Sequence, residues 1–148
     1  MPKHNKRERR NDSRFVKIDY YILNSKAWKE LTPRDVRVWL SLCRRFNGVN
    51  NGRISLSIRE AASEGKMGSA TASKAIKKLI AMGFIKKTFG GSFSQKKQLA
   101  SEFALTHVKL GDDKASKEFM KWKPEKKTVP KQEQVGIKLD AMTNENVI

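Results

Sequence analysis

The sequence predicts an α+β fold in which helices precede a β-hairpin. A long helix is predicted from Pro33, because Thr32 can cap it and Asp35 lies in its first turn. Two shorter helices are predicted between residues 57 and 83, each ended by a glycine. Two β-type runs, 84–89 and 97–106, then flank a turn that begins with Gly90-Gly91.

Residues 1–14 are predicted to form a disordered basic arm, because they carry six Lys or Arg and no apolar residue between Pro2 and Phe15. A folded domain is predicted over 15–108. Residues 109–148 are predicted to be a basic extension, mostly disordered, with a short docked segment near 117–122 that contains Phe119 and Trp122. The apolar residues expected to begin the core are Phe15, Val16, Ile18, Tyr20, Tyr21, Ile22 and Leu23, with Trp28 and Leu31 on one helix face.

The long helix is expected to bury one apolar stripe and to end at Asn47-Gly48, before a short β-type run over 53–56. Its single cysteine, Cys43, is interpreted as a small buried hydrophobe, and one cysteine excludes an intrachain disulfide. The residues at helical spacing along the predicted stripe are Val36, Trp39, Leu40, Cys43 and Phe46.

The two shorter helices have the length and end signals of a helix-turn-helix. Ser57 and Glu60 form a capping-box pattern at the start of the first, and Gly65 is predicted to end it. Ser69 is predicted to cap the second, over 70–82, which Gly83 ends. A strand, loop and strand that follow directly are typical of a wing.

This same region is strongly basic. The chain carries a net charge of +17, and residues 65–101 contain eight lysines and no Asp or Glu. A basic bias confined to one motif indicates neutralisation of phosphates, whereas a bias spread over the chain would merely aid solubility.

A helical wheel for 70–82 assigns Ala72, Ala75, Ile76, Leu79 and Ile80 to the core face. On the opposite side, small residues would let the start of the helix enter a major groove, and Thr71, Ser73 and Lys74 could reach base edges. Lys77 and Lys78 are better placed for phosphates, and Lys86 and Lys87 lie on opposite sides of their strand. The candidate DNA-binding residues are Ser69, Ala70, Thr71, Ser73, Lys74, Lys77, Lys78, Lys87, Phe93, Lys96 and Lys97.

These motifs carry a resemblance to a known family. Residues 14–88 resemble the winged-helix domain at the N-terminus of phage-type replication initiators and are similar to small helix-turn-helix proteins of bacteria, plasmids and phages. The resemblance implies a winged-helix fold and double-stranded DNA as partner. The residues that carry it are Phe15-Val16-Lys17-Ile18, Leu31-Thr32, Arg45-Phe46-Asn47-Gly48, Ile54-Ser55, Arg59-Glu60-Ala61-Ala62, Thr71-Ala72-Ser73-Lys74-Ala75-Ile76, Leu79 and Gly83-Phe84-Ile85.

The expected function is sequence-specific binding of double-stranded DNA by a transcriptional regulator. The alternatives are an origin-binding replication protein of a plasmid or phage and, in another class, a winged-helix protein-interaction adaptor. A homodimer is left open. Neither His4 nor His107 has a second ligand at metal spacing and there is no phosphate-binding glycine loop, so no enzyme, cofactor or metal site is expected. With no signal peptide and no apolar run of about 20 residues, the expected location is cytoplasmic, with the nucleoid, and not a membrane.

Overall fold

Five α-helices and a three-stranded antiparallel sheet form the α+β fold of the residues that the computed structural model describes, which are 14–91, 93–94 and 97–125. Only the backbone is described for residues 93–94 and 97–98. The α+β class predicted from the sequence is confirmed. The helices are α1 (Tyr20–Leu23), α2 (Lys26–Lys29), α3 (Pro33–Arg45), α4 (Ile58–Gly65) and α5 (Ser69–Ala81), with a 3-10 helix over Glu118–Lys121.

The sheet has the strand order β1-β5-β2, with β1 at Ile54–Ser55, β2 at Ile85–Phe89 and β5 at Glu102–Leu105. A separate two-stranded hairpin, β3 (Phe93–Ser94) with β4 (Lys97–Gln98), lies between β2 and β5 in the chain. The predicted strand over 97–106 is therefore wrong in its continuity, because residues 99–101 separate β4 from β5. β2 and β5 also shift register between Lys87 and Phe89.

Two of the predicted helix starts are confirmed as full capping boxes. In α3, the N–H of Thr32 donates to Oδ2 of Asp35 at 2.8 Å, and the N–H of Asp35 donates to Oγ1 of Thr32. Ser57 and Glu60 exchange the same pair of bonds at the start of α4. Each box satisfies donors that a helix start would otherwise leave unpaired.

The predicted cap of α5 is wrong. The helix begins at Ser69 itself, and the preceding Gly68 has the extended conformation of an N-cap, with φ −69° and ψ 154°. A glycine has no side chain to cap with, so no side-chain oxygen accepts a hydrogen bond from the first turn of α5.

The core is centred on Trp39, which is fully buried. Its ring packs edge-on against Trp28 and Phe84, with ring centroids 5.2 and 6.4 Å away. Phe84 in turn stacks on Phe119 at 4.8 Å, so the 3-10 helix at Glu118–Lys121 packs into the same core. Gly83, between α5 and β2, has φ +83°, and a Cβ there would lie 2.8 Å from the backbone nitrogen of Phe119. This close approach, together with the left-handed φ, requires glycine.

Several residues predicted to be buried lie at the surface. Phe15 and Tyr20 are each 82 % exposed and Val16 is 41 % exposed, whereas Ile22 is fully buried and Ile18 and Tyr21 pack against the core. Ile80 lies at the edge of the α5 stripe, whereas Ala72, Ala75, Ile76 and Leu79 are buried as predicted. In α3, the buried stripe is Asp35, Val38, Trp39, Leu42 and Cys43, so the predicted Val36, Leu40 and Phe46 are only partly buried.

The alternation along 97–106 predicts that Leu99, Ser101, Phe103 and Leu105 share one face of a strand, with polar or small residues on the other face. Phe103, Ala104 and Leu105 are all buried, while Leu99 is exposed. β5 is the central strand of the sheet, between β1 and β2, and its Phe103 and Leu105 belong to the same core cluster as Phe119.

Candidate nucleic-acid interface

Helix α5 presents most of the candidate side chains on the face away from its buried stripe. Ser69, Ala70, Lys74 and Lys77 are exposed. Thr71 and Ser73, which flank them, are partly buried. The result is a helix start lined by small and hydroxyl side chains, with lysines further along the same face.

Lys78 does not belong to this exposed lysine face. Its Nζ lies 3.0 Å from Oδ2 of Asp35 and donates to the carbonyl oxygen of Glu30 at 2.8 Å. Asp35 is 5 % exposed, so Lys78 supplies the counter-charge of a buried carboxylate. The prediction that Lys78 lies with the exposed lysines on the face opposite the core is therefore wrong, because its side chain pairs with Asp35 at the start of α3.

The two lysines of β2 also differ from each other. Nζ of Lys86 lies 2.6 Å from Oε1 of Glu118, which belongs to the 3-10 helix that packs into the core. Lys87, the next residue, is exposed, and no carboxylate within the described part of the chain pairs with it. Lys87 is thus the β2 lysine that is available to an outside anion.

Three candidates of the predicted wing fall where the structure gives no side chain. Phe93 and Lys97 belong to β3 and β4, of which the backbone is described. Lys96 lies outside the described residues. The backbone places β3 and β4 as an antiparallel hairpin, with Phe93 opposite Gln98.

The turn between α4 and α5 is fixed by backbone hydrogen bonds and by one apolar anchor. Lys66 N–H donates to the carbonyl of Ser63 at 3.2 Å and Met67 N–H to that of Ala62 at 3.0 Å. This is the Schellman pattern, in which the residue that donates to Ser63 adopts the left-handed conformation. Gly65, predicted to end the helix, is still helical, and Lys66 has φ 50°.

Gly65 lies close to the side chain of Met67. A Cβ there would lie 2.3 Å from Cε of Met67, which packs against the core. A larger residue at position 65 would require the end of the Met67 side chain to move. The left-handed residue of this turn is the lysine that follows Gly65.

The carboxylates nearest to this turn are held by arginines of α3. Glu64, at the end of α4, bonds to Arg45 and lies 3.5 Å from Nη2 of Arg44. Glu60 lies 3.8 Å from Nη2 of Arg45, and hydrogen bonds from Ser57, with the charge of Arg45 adding to them, lower its pKa. The acids of α4 thus face α3, and their charge is partly neutralised within the protein.

Asn51 is a structural residue that sequence reasoning missed. Its Oδ1 accepts the N–H of Leu105 at 2.7 Å, and its Nδ2 donates to the carbonyls of Leu105 and Lys109 at 3.0 Å each. These bonds tie the loop after α3 to the end of β5. In the sequence, Asn50-Asn51-Gly52 indicates only a turn, since the partners of the amide lie far along the chain.

Among the remaining titratable groups in the part of the chain that the structure covers, Cys43 and His107 have shifted pKa values. No group of three or more His, Cys, Asp or Glu side chains there could hold a metal ion. Cys43 is buried as predicted, and burial raises its pKa to about 12, so it stays a thiol at neutral pH. His107 packs against Trp39, and burial lowers its pKa. Among the described helices, none is long and apolar enough to cross a bilayer.

Comparisons of the whole chain with protein-family models, with curated proteins and with solved structures found no match.

Proposed function

We propose that this chain is a winged helix-turn-helix protein that binds double-stranded DNA sequence-specifically and regulates transcription. The observation that carries the proposal is the set of exposed lysines on the turn, α5 and β2 that have no carboxylate partner among the described residues. These lysines are Lys66, Lys74, Lys77 and Lys87.

In this proposal α4 and α5 form the helix-turn-helix, and β2 and β5 with the β3–β4 hairpin form the wing. A helix of 13 residues is about 20 Å long. The B-DNA major groove is about 12 Å wide, which admits one α-helix. The small side chains of Ser69 and Ala70 let the start of α5 approach the floor of the groove.

The exposed side chains divide into two roles. Thr71, Ser73 and Lys74 lie in the first turns of α5 and contact base edges, where hydroxyl groups pair with several bases and lysine favours guanine acceptors. Lys77 and Lys87 contact phosphates, which give affinity without sequence information. Lys78 takes neither role, because its ammonium is bonded to Asp35 and Glu30.

The acids of α4 are paired within the protein, whereas Lys66, Lys74 and Lys77 have no carboxylate partner among the described residues. This difference supports a DNA-binding protein over a protein-interaction adaptor. Glu60 and Glu64 are paired with arginines of α3, which partly neutralise them, so they offset the lysines of the turn and α5 less than unpaired acids would. A polyanion gains from such a field through the release of counterions, whereas an adaptor surface has no need of a face free of acids.

Charge-matched triple variants test the proposal. Lys74→Gln, Lys77→Gln and Lys87→Gln together should abolish binding of a labelled duplex from the region upstream of the gene. Lys26→Gln, Lys29→Gln and Lys109→Gln remove the same charge from exposed lysines elsewhere and should leave most of the binding intact. An equal loss of DNA binding in both triple variants would overturn the assignment of Lys74, Lys77 and Lys87 to the DNA-binding surface. Footprinting on the same region then separates a regulator, which protects a promoter, from an origin-binding protein, which protects repeated sites.

A further inference from the structure

Two lysines hold a backbone conformation that glycine adopts more easily. Lys66 has φ 50° and ψ 52°, and Lys117 has φ 47° and ψ 40°. Within the described ranges they are the non-glycine residues at positive φ. A Cβ in this left-handed region crowds the backbone, which is why glycine is favoured at this position of a Schellman turn.

The side chain of Lys117 has a visible partner inside the protein. Its Nζ lies 4.6 Å from the centroid of the Tyr21 ring, a distance at which a cation is attracted to the ring face. Its N–H donates to the carbonyl of Thr106 at 2.9 Å. A lysine at this strained position is thus accounted for by a contact that glycine could not make.

Lys66 has no such contact. It is exposed, and its ammonium meets neither a carboxylate nor an aromatic ring among the residues described. Its backbone bond to Ser63 would be made equally well by glycine. The left-handed conformation strains any residue with a Cβ, and no contact of the Lys66 side chain among the described residues offsets that strain.

The position of Lys66 between the two helices indicates which external group its ammonium would bind. In helix-turn-helix binding the first helix crosses the phosphate backbone and the start of the second enters the groove, so the turn between them lies beside a phosphate strand. Lys66 stands three residues before Ser69, the first residue of α5. Resting on the function proposed above, we infer that Lys66 binds a backbone phosphate at the edge of the groove that α5 enters.

Matched glycine variants test this contact with a labelled duplex of mixed sequence, since a phosphate contact does not depend on sequence. For Lys66→Gly the slope of log K against log salt should become less negative by about 0.9, because the contact with one phosphate is lost. It should also raise the melting temperature by a few degrees, because the strain is relieved. Lys66→Arg should keep the parental slope.

Lys117→Gly is the control, because it removes a lysine from the same backbone conformation and should leave the slope unchanged. If the parent binds DNA with a strong salt dependence and Lys66→Gly keeps its slope, the inference is overturned and the proposed function stands. If the parent shows no salt-dependent binding, the proposed function itself is overturned. If Lys66→Gly melts at a lower temperature than the parent, the statement that Lys66 strains the backbone is contradicted.

Discussion

The ammonium of Lys78 lies 3.0 Å from the buried carboxylate of Asp35 and so joins the middle of α5 to the start of α3. The same oxygen of Asp35 accepts the N–H of Thr32 at 2.8 Å, and Lys78 also donates to the carbonyl of Glu30. Lys78 of α5 therefore binds the same carboxylate that forms the capping box of α3. This bond is one of the contacts between α5 and α3, beside the buried stripe of α5.

Lys78→Ala should destabilise the fold. It leaves the carboxylate of Asp35 without its cation, and for a pair that is part exposed we expect a cost of about 1–3 kcal/mol. Lys77→Ala, one residue earlier on the exposed face, should change the free energy of unfolding by less than about 0.5 kcal/mol. Urea denaturation of both variants makes the comparison. Equal stabilities would show that the Lys78–Asp35 pair does not hold α5.

Leu79→Ala should be more costly than its neighbour Ile80→Ala. Leu79 is fully buried, so its truncation should cost about 2–5 kcal/mol through lost transfer energy and a cavity. Ile80 is 36 % exposed, and truncation there should cost less than about 1 kcal/mol. Chemical denaturation measures both. The reverse order would mean that α5 is rotated, and the choice of exposed residues would then be wrong.

His107 should make stability depend on pH near neutrality. Burial lowers its pKa below 6.5, although the charge of Asp19 opposes the shift. The unfolded chain therefore binds the proton at a higher pH than the folded chain does. The contribution of His107 is fully present above pH 6.5 and is lost as the pH falls from there to the folded pKa.

Denaturation midpoints measured from about pH 8 down to about pH 5 should show this loss, and His107→Gln should flatten the curve in that window. Glu60 does not interfere, because its pKa is lowered from a value of 4.5 and it titrates below the window. A parental curve that is already flat would contradict the burial of a neutral imidazole.

The parts of the fold that sequence predicts well are those whose partners are close in the chain. Thr32 with Asp35 and Ser57 with Glu60 each span a single helical turn, so the pattern contains both partners. The buried stripe of α5 follows from helical periodicity for the same reason. Such local signals are enough for the α+β class and the order of the elements.

Sequence reasoning misses the ion-pair partners of Lys78 and Lys86 because the partner of each side chain lies far along the chain. Nothing near Lys78 in the sequence indicates Asp35, and nothing near Lys86 indicates Glu118, so both appear as free cations until the chain is folded. The end of α4 is predicted one residue too early, because Gly65 is still helical and Lys66 adopts the left-handed conformation of the Schellman turn.

Base-edge and phosphate contacts should be separable by mutation. Thr71→Ala and Lys74→Ala should each cost about 1–3 kcal/mol on the cognate site and little on random DNA. Lys87→Ala should weaken binding to both by a similar factor, since a phosphate contact is independent of sequence. Competition binding with the footprinted site and a scrambled duplex measures the ratio. A uniform loss for all three variants would remove α5 as the recognition helix.

The salt dependence of duplex binding by the unmodified protein tests the proposal of DNA binding most directly. Four lysines, Lys66, Lys74, Lys77 and Lys87, have no carboxylate partner among the described residues, and Lys96 and Lys97 of the predicted wing could add two more. Contacts to about four to six phosphates give a slope of log K against log salt of roughly −3.6 to −5.4. A slope in that range supports the lysine face as a DNA-binding surface. A slope near zero would contradict it.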